Sequence, residues 1–307
     1  MPLYGHEITE SIDPISAGHR FPSGIVRTRS GQVLVTDNQG NFNPFNELNR
    51  VERGLRFGFP NAWERKQGLS FPETPPSIAI PHPWTRSVNG IAVLERDDVD
   101  DEQVFGPFAG DVIGCEYDTR RLVRMSLDEV DGTLQGAVYP FSRDDERSGT
   151  LLQGPLTCGV SPEGDLVIGT IRDSGWGGAG NIGGLVRLSF RPESLPTGIA
   201  KLRATARGLR VEFTRPIAPE RLAALFADSL RSFRRESTPA YGGPDLDQRS
   251  EPIAGIEPSD DGRSVELRLE HAPRAGFVYR LSLDASAIDD PLFPAEAYYT
   301  MNRVPRD

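Results

Sequence analysis

Short apolar runs separated by Gly and Pro dominate the chain, which contains 32 Gly and 26 Pro. Runs of this kind, with polar residues alternating between apolar ones, are typical of β-strands joined by turns. Helical periodicity is scarce. The best case is APERLAALFADSLRSF at 218–233, where apolar side chains recur at spacings of three and four after a Pro-Glu start: Leu222, Leu225, Phe226, Leu230 and Phe233. The pattern predicts an all-β protein with one amphipathic helix.

One strand–loop–strand unit occurs three times, each time with a Gly turn before the first strand and an Arg at the same place in the second. The units are SGQVLVTD (30–37) with LNRV (48–51), AGDVIGCEY (109–117) with LVRM (122–125), and EGDLVIGTI (163–171) with LVRL (185–188). A further short strand precedes each unit, at SGIVRT, NGIAVL and CGVSPEG. Repeats with variable loops indicate a propeller or a β-solenoid, and their uneven spacing favours a propeller. About three blades cannot close a ring that usually needs about four to eight, so we expect a fragment or a completing partner.

The pattern changes after RPESLPTG at 191–198, where a new series of short strands begins. Alternation predicts strands at Val265–Leu269 and Val278–Leu283, and AYYTMNRV closes the series. About 110 residues of such strands have the size of an immunoglobulin-like sandwich. We therefore predict a partial β-propeller over 1–196 and an immunoglobulin-like β-sandwich over 197–307.

Charge and composition narrow the class of partner. The net charge of −10 argues against nucleic acid and anionic membranes, and a small neutral or cationic ligand fits it better. No apolar run approaches the roughly 20 residues of a membrane helix, and MPLYGHEITESIDP has no signal-peptide pattern. Cys115 and Cys158 lack C-x-x-C spacing and leave room for a single bridge.

The stretch TDNQGNFNPFNELNRV at 36–51 concentrates Asp, Asn, Gln and Glu around two Phe residues. Its oxygen atoms suit Ca²⁺, although the spacing is not that of an EF-hand. Asn, Asp and Gly are equally usual in the loops between strands. The residues alone leave both interpretations open.

The segment HRFPSGIVRTRSGQVLVTDNQGNFNPFNELNRVERGLRFGFP at 19–60 resembles the glucose/sorbosone dehydrogenase family. The matching motifs are Glu47–Val51 and Gly54–Pro60, and the two later repeats resemble the following blades. The ending is similar to large proteins in which such a propeller precedes an immunoglobulin-like domain, often beside a cytochrome c module. The resemblance implies that the chain holds the second half of a propeller.

In that family pyrroloquinoline quinone, held with Ca²⁺, accepts hydride from a sugar hydroxyl while a histidine takes the proton. The resemblance implies cofactor binding by Arg20, Gly40 and Asn41, with Ca²⁺ on the backbone of Gly40 and Asn41. It also implies an exported protein, periplasmic or extracellular. Phe21 and Ser23 depart from the family pattern, and the catalytic histidine belongs to an earlier blade that is not in this chain, so the catalytic residue is unknown.

His82 in PHPW, Trp84 and Trp176 are predicted to line a sugar pocket by hydrogen bonding and stacking. The alternatives are a rigid connection between blades for His82 and Trp84 and a cap on the blade core for Trp176. The expected function is that of a quinoprotein oxidising a sugar or other alcohol, incomplete in this chain. A non-catalytic carbohydrate- or partner-binding module and a metal-dependent, lactonase-like hydrolase are the alternatives.

Overall fold

The computed structural model describes residues 13–96, 100–143, 152–172 and 182–306. Strands make up 45% of the structure and helices 10%. Within these residues, every paired strand is antiparallel and none of the sheets closes into a barrel. The prediction of an all-β, propeller-like protein is therefore confirmed.

Three consecutive meanders form the first part of the chain, and we call them blades 1, 2 and 3. Blade 1 contains β1 (Pro22–Arg27), β2 (Val33–Asp37), β3 (Phe45–Arg50) and β4 (Ile78–Pro81). Blade 2 contains β5 (Val88–Val93), β6 (Val112–Glu116), β7 (Arg121–Val130) and β8 (Thr133–Pro140). Blade 3 contains β9 (Pro155–Val160), β10 (Leu166–Arg172) and β11 (Ile182–Leu188). The three repeats of the sequence correspond to the β2–β3, β6–β7 and β10–β11 hairpins, as predicted.

Two short helices lie in the connections of the blades. Helix α1 (Ala62–Gln67) follows β3, and α2 (Asp101–Phe105) follows β5 and continues into a 3₁₀ turn at Gly106–Phe108. Asn61 caps α1 through a capping box with Glu64, and Gly68 ends it in the left-handed conformation.

The first strands of the blades approach one another closely because of glycine. A Cβ on Gly24 would lie 2.2 Å from the carbonyl oxygen of Asn89, and a Cβ on Gly90 would lie 2.6 Å from that of Leu156. Gly159, the glycine of the same motif in blade 3, would meet nothing within 4 Å. Glycine is thus required where one blade packs against the next, and the far side of blade 3 has no such neighbour among the described residues.

Two sheets form the second part of the chain. The first has the order β12 (Ile199–Thr205), β13 (Gly208–Phe213), β17 (Ser264–Leu269) and β16 (Ile253–Pro258). The second has the order β15 (Leu246–Ser250), β14 (Leu230–Arg234), β18 (Phe277–Ser282) and β19 (Glu296–Met301). Apolar side chains of both sheets share one buried core, whose members include Val211, Phe213, Leu267, Tyr279 and Tyr299.

The two parts of the chain are joined through a continuous sheet. Strand β19 pairs with β8, with Tyr298 opposite Val138 and Tyr299 opposite Ala137, so blade 2 and the second sheet form eight strands in a row. Tyr139 of β8 is fully buried in the core of the second part. One sheet therefore contains strands from both sides of the boundary that the change of sequence pattern near Pro196 suggested.

The predicted helix at 218–233 is correct only in its first half. Helix α3 spans Pro219–Leu225, whereas Leu230 and Phe233 lie on β14. Asp228 turns the chain with φ 48°, and β14 then gains a complete set of partners between β15 and β18. The predicted strands near 265–269 and 278–283 are observed as β17 and β18. Further 3₁₀ turns lie at Pro192–Ser194 and Ala285–Ala287.

Cys115 and Cys158 are free thiols in the core between blades 2 and 3. Within the described ranges, no helix is long and apolar enough to cross a membrane.

Candidate functional site

The loops that follow β2, β4 and β6 lie at one end of the blades, which we call the loop end (38–44, 82–87 and 117–120). Asn38 donates its side-chain amide to Ser87 and Asn89, at 3.4 and 3.3 Å, and so joins blade 1 to blade 2 there. This end holds every predicted site residue that the structure describes. Trp176 lies outside the described residues.

The Asn-rich loop at 38–44 is covered by the connection between β14 and β15. Phe42 donates its backbone N–H to the carbonyl of Thr238 at 2.7 Å, and Ser237 donates its hydroxyl to the carbonyl of Phe42 at 2.9 Å. Asn41 donates its side-chain amide to the carbonyl of Pro239 at 2.6 Å. These contacts hold the two parts of the chain together.

The backbone carbonyl of Gly40, one of the two predicted Ca²⁺ ligands, already has hydrogen-bond partners. The carbonyl of Gly40 accepts N–H groups from Asn43 and Gly242, each at 3.3 Å, so its lone pairs already have partners. Among the described residues, no group of three His, Cys, Asp or Glu is placed to hold a metal ion. The predicted metal role of these residues stays a prediction.

Arg20 lies directly over Gly40, because a Cβ on that glycine would be 2.0 Å from Nε of Arg20. Its guanidinium group is 5.9 Å from the ring centre of Tyr241. The backbone N–H of Arg20 donates to the carboxylate of Asp37 at 2.8 Å. Arg20 is therefore held between two parts of the chain, and its predicted contact with a quinone is not tested.

A buried acidic residue, Glu47 of the matching motif, lies beneath the same loop, and its burial was not predicted from the sequence. Glu47 accepts a hydrogen bond from the side-chain amide of Asn49 at 2.9 Å, and both residues are buried. Burial, reinforced by the charge of Asp37, raises the pKa of Glu47 to about 8. The strand β3 is buried at five consecutive positions, Phe45 to Asn49, so alternation along it could not have indicated which side chains are buried.

A cleft of about 400 Å³ lies between the β4–β5 turn and the second sheet, and we call it the arginine cleft. The turn contributes His82, Pro83 and Trp84. The sheet contributes polar and aromatic side chains: Arg231, Arg235, Asp245, Gln248, Arg249, Ser250, Arg280 and Tyr298. His82 and Trp84 were predicted from the sequence to share a pocket, and they lie in the same cleft.

His82 lines this cleft and contacts Tyr241. Its peptide bond to Pro83 is cis, and its ring meets that of Tyr241 edge-on at 5.9 Å. Burial, together with the charges of Arg235 and Arg86, lowers the pKa of His82. The imidazole is therefore neutral near pH 7 and offers one donor and one acceptor.

Trp84 is oriented by its neighbours. Its indole N–H donates to Glu296 at 2.7 Å, and its ring lies 5.0 Å from that of Tyr298. The guanidinium of Arg121 lies over the Trp84 ring at 4.8 Å. Because Arg121 occupies a ring face, we expect the edge of Trp84 to meet a ligand more readily than that face.

The repeated Arg of the second strands has a structural role in blade 2. Arg124 is fully buried, forms an ion pair with Asp111 and donates to the carbonyls of Ile199 and Ala200. It thereby ties blade 2 to the start of β12. The sequence showed the repeat but not these partners.

The fold and the cleft define an all-β protein with propeller-like blades joined to a two-sheet sandwich. No protein-family model and no curated protein matches the chain. Solved structures similar to it include sugar dehydrogenases, as the resemblance of the motifs predicted.

The PQQ-bound aldose sugar dehydrogenase of Streptomyces coelicolor is 21% identical, with 57% of this chain and 45% of that chain covered and a TM-score of 0.38. The apo-form soluble aldose sugar dehydrogenase of Escherichia coli is 20% identical, with 58% and 47% covered and a TM-score of 0.35. The chain spans less than half the length of these structures. At these values the likeness carries no argument about ligand or activity.

Proposed function

We propose that the chain is a non-catalytic carbohydrate-binding module with the arginine cleft as its site. The observation that carries the proposal is the meeting of His82 and Trp84 with hydrogen-bonding side chains of the second sheet in one cleft. A neutral imidazole, Gln248 and Ser250 offer donors and acceptors for hydroxyl groups, and the aromatic edges suit the C–H face of a sugar ring.

Binding is favoured over catalysis by the state of the predicted cofactor residues. The carbonyl of Gly40, one of the two predicted Ca²⁺ ligands, already accepts N–H groups from Asn43 and Gly242, and the side-chain amide of Asn41 donates to the carbonyl of Pro239. The family resemblance also suggests quinone-dependent oxidation and an exported location. We propose these two properties only for a propeller that further blades complete.

The second part of the chain is proposed to be immunoglobulin-like. Its first, second, fifth and sixth strands in chain order form one sheet, and its third, fourth, seventh and eighth form the other. This division, with β12-β13-β17-β16 in one sheet, agrees with the ABED sheet of constant-type immunoglobulin domains.

The test is titration of the chain with a panel of neutral and acidic saccharides, followed by calorimetry and by tryptophan fluorescence. We expect saturable binding, and a fluorescence change that is lost in Trp84→Phe. Trp63→Phe is the matched control, because Trp63 lies on α1 and is 63% exposed. Absence of binding by every saccharide would refute the proposal.

A parallel titration with pyrroloquinoline quinone, with and without Ca²⁺, separates the two functions. Calcium-dependent saturable binding that Arg20→Ala abolishes would favour the quinoprotein function instead. No quinone binding together with saccharide binding would support the binding module.

A further inference from the structure

We propose that the arginine cleft selects saccharides that carry a carboxylate, such as uronate units, over neutral ones. This inference rests on the proposed function and names the class of ligand. It follows from the charges on the cleft wall, which are opposite in sign to the net charge of −10 on the whole chain.

The cleft is lined by four arginines and one carboxylate, that of Asp245. Asp245 is already engaged, since Arg235 donates to it through Nε at 2.6 Å. Arg249 donates to Glu251 at 2.7 Å. The positive charge available to a ligand therefore resides mainly on Arg231, with Arg280, whose contact with Glu296 is longer at 3.5 Å, beside it.

Arg231 and Arg280 lie directly opposite each other on β14 and β18. Like charges in directly opposed positions of an antiparallel pair are destabilising. Arg231 is exposed and forms no ion pair with a described residue, while Arg280 reaches Glu296 at 3.5 Å. A carboxylate bound between the two guanidinium groups would relieve their repulsion and accept charge-assisted hydrogen bonds.

Arg121 adds a third cation beside the cleft. It lies over the Trp84 ring, its Nε is buried without a hydrogen-bond partner, and it forms no ion pair within the described parts of the chain. The neighbouring Tyr298 is 5% exposed and lies next to Arg280 on the same face. The positive charge thus extends from Arg231 and Arg280 to Arg121 over the Trp84 ring.

Arginines alone would bind any anion. The other residues that line the cleft narrow the class of ligand. Gln248, Ser250 and the neutral His82 suit hydroxyl groups, and Trp84 and Tyr298 suit the apolar face of a ring. A ring bearing both hydroxyl groups and a carboxylate uses all of these features. Inorganic phosphate uses the cations alone.

The experiment compares a digalacturonate, a neutral disaccharide and inorganic phosphate by calorimetric titration of the whole chain. We expect the acidic disaccharide to bind about tenfold more tightly than the neutral one, as one charge-assisted hydrogen bond allows. The difference should shrink between about 50 and about 300 mM salt, because exposed charges are screened. Arg231→Gln should lower the acidic affinity about tenfold and leave the neutral affinity unchanged.

Arg268→Gln is the matched control, since Arg268 is an exposed arginine on β17 in the other sheet. Thermal melting of both variants verifies that they fold. Equal affinity for acidic and neutral saccharides would overturn the inference and leave the proposed function intact. If phosphate binds as tightly as digalacturonate, the cleft is a general anion site and the inference is overturned. If no saccharide binds, the proposed function itself is refuted.

Discussion

Asp37 of blade 1 and Glu116 of blade 2 are equivalent: each ends the second strand of its blade and accepts the two backbone N–H groups that precede the first strand. The donors are Arg20 and Phe21 for Asp37, at 2.8 and 2.6 Å, and Arg86 and Ser87 for Glu116, at 2.9 and 2.7 Å. In blade 3 the place six residues after the turn glycine is held by Thr170, which has no carboxylate. In blades 1 and 2 the same carboxylate contact thus joins the end of the second strand to the residues before the first strand.

Replacing either carboxylate by an amide should weaken this fastening. Asp37 and Glu116 are 1% and 0% exposed, and an amide oxygen accepts only part of their hydrogen bonds. We expect Asp37→Asn and Glu116→Gln each to lower the free energy of unfolding by about 1.5–3 kcal/mol, measured by urea denaturation. Glu266→Gln on the exposed face of β17 is the control, and a loss no larger than in that variant would contradict the prediction.

The glycines of the first strands should respond differently to alanine. Gly24→Ala and Gly90→Ala would drive a methyl group into the backbone of the next blade, so we expect each to cost about 1–3 kcal/mol. Gly159→Ala meets open space, and we expect it to be neutral or stabilising by up to about 1 kcal/mol. Thermal and urea unfolding measure all three. A large cost at Gly159 would mean that another element packs there.

Stability should fall as the pH rises through the range set by Glu47. Burial raises its pKa in the folded state to about 8 from the ordinary 4.5, so the folded protein binds the proton more tightly than the unfolded chain. This contribution is complete below about pH 4.5 and is lost toward pH 8, with a slope of up to about 1.4 kcal/mol per pH unit. Glu47→Gln should remove that slope in urea denaturation. An unchanged slope in the variant would show that another group is responsible.

Arg235 should be needed for the contact between the blades and the second sheet. Its side chain is 6% exposed, and it donates to Asp245 and to the carbonyls of Pro44 and His82. Lysine cannot reproduce this fork, so we expect Arg235→Lys to lower the free energy of unfolding by about 1–3 kcal/mol. Arg234→Lys, at a more exposed ion pair, should cost clearly less than Arg235→Lys. Equal losses in both variants would speak against a special role for Arg235.

Much of the fold could be predicted from local patterns. The Gly turns and alternating strands of the repeats indicated three hairpins, because turn chemistry and period-two alternation act over few residues. The same reasoning wrongly extended the helix α3 through the residues of β14, because the spacing of Leu230 and Phe233 fits a helix as well as a strand. Only pairing with β15 and β18 decides between the two, and that pairing depends on residues far along the chain.

The candidate site was predictable only in part. His82 and Trp84 stood out as residues suited to a pocket, but Arg231 and Arg280 did not, because their opposition depends on strand register. Net charge suggested a neutral or cationic ligand, yet it averages over the whole surface and does not describe one cleft. The contact of Gly40 with Gly242 was equally hidden, since that partner lies about two hundred positions later.

The pairing of β19 with β8 has a consequence for how the chain unfolds. Separating the second part from the blades requires breaking a row of backbone hydrogen bonds and exposing Tyr139, rather than extending a linker. The chain should therefore melt in a single cooperative transition. A cut at residue 196 would leave two pieces, each with a bare strand edge and a tendency to aggregate.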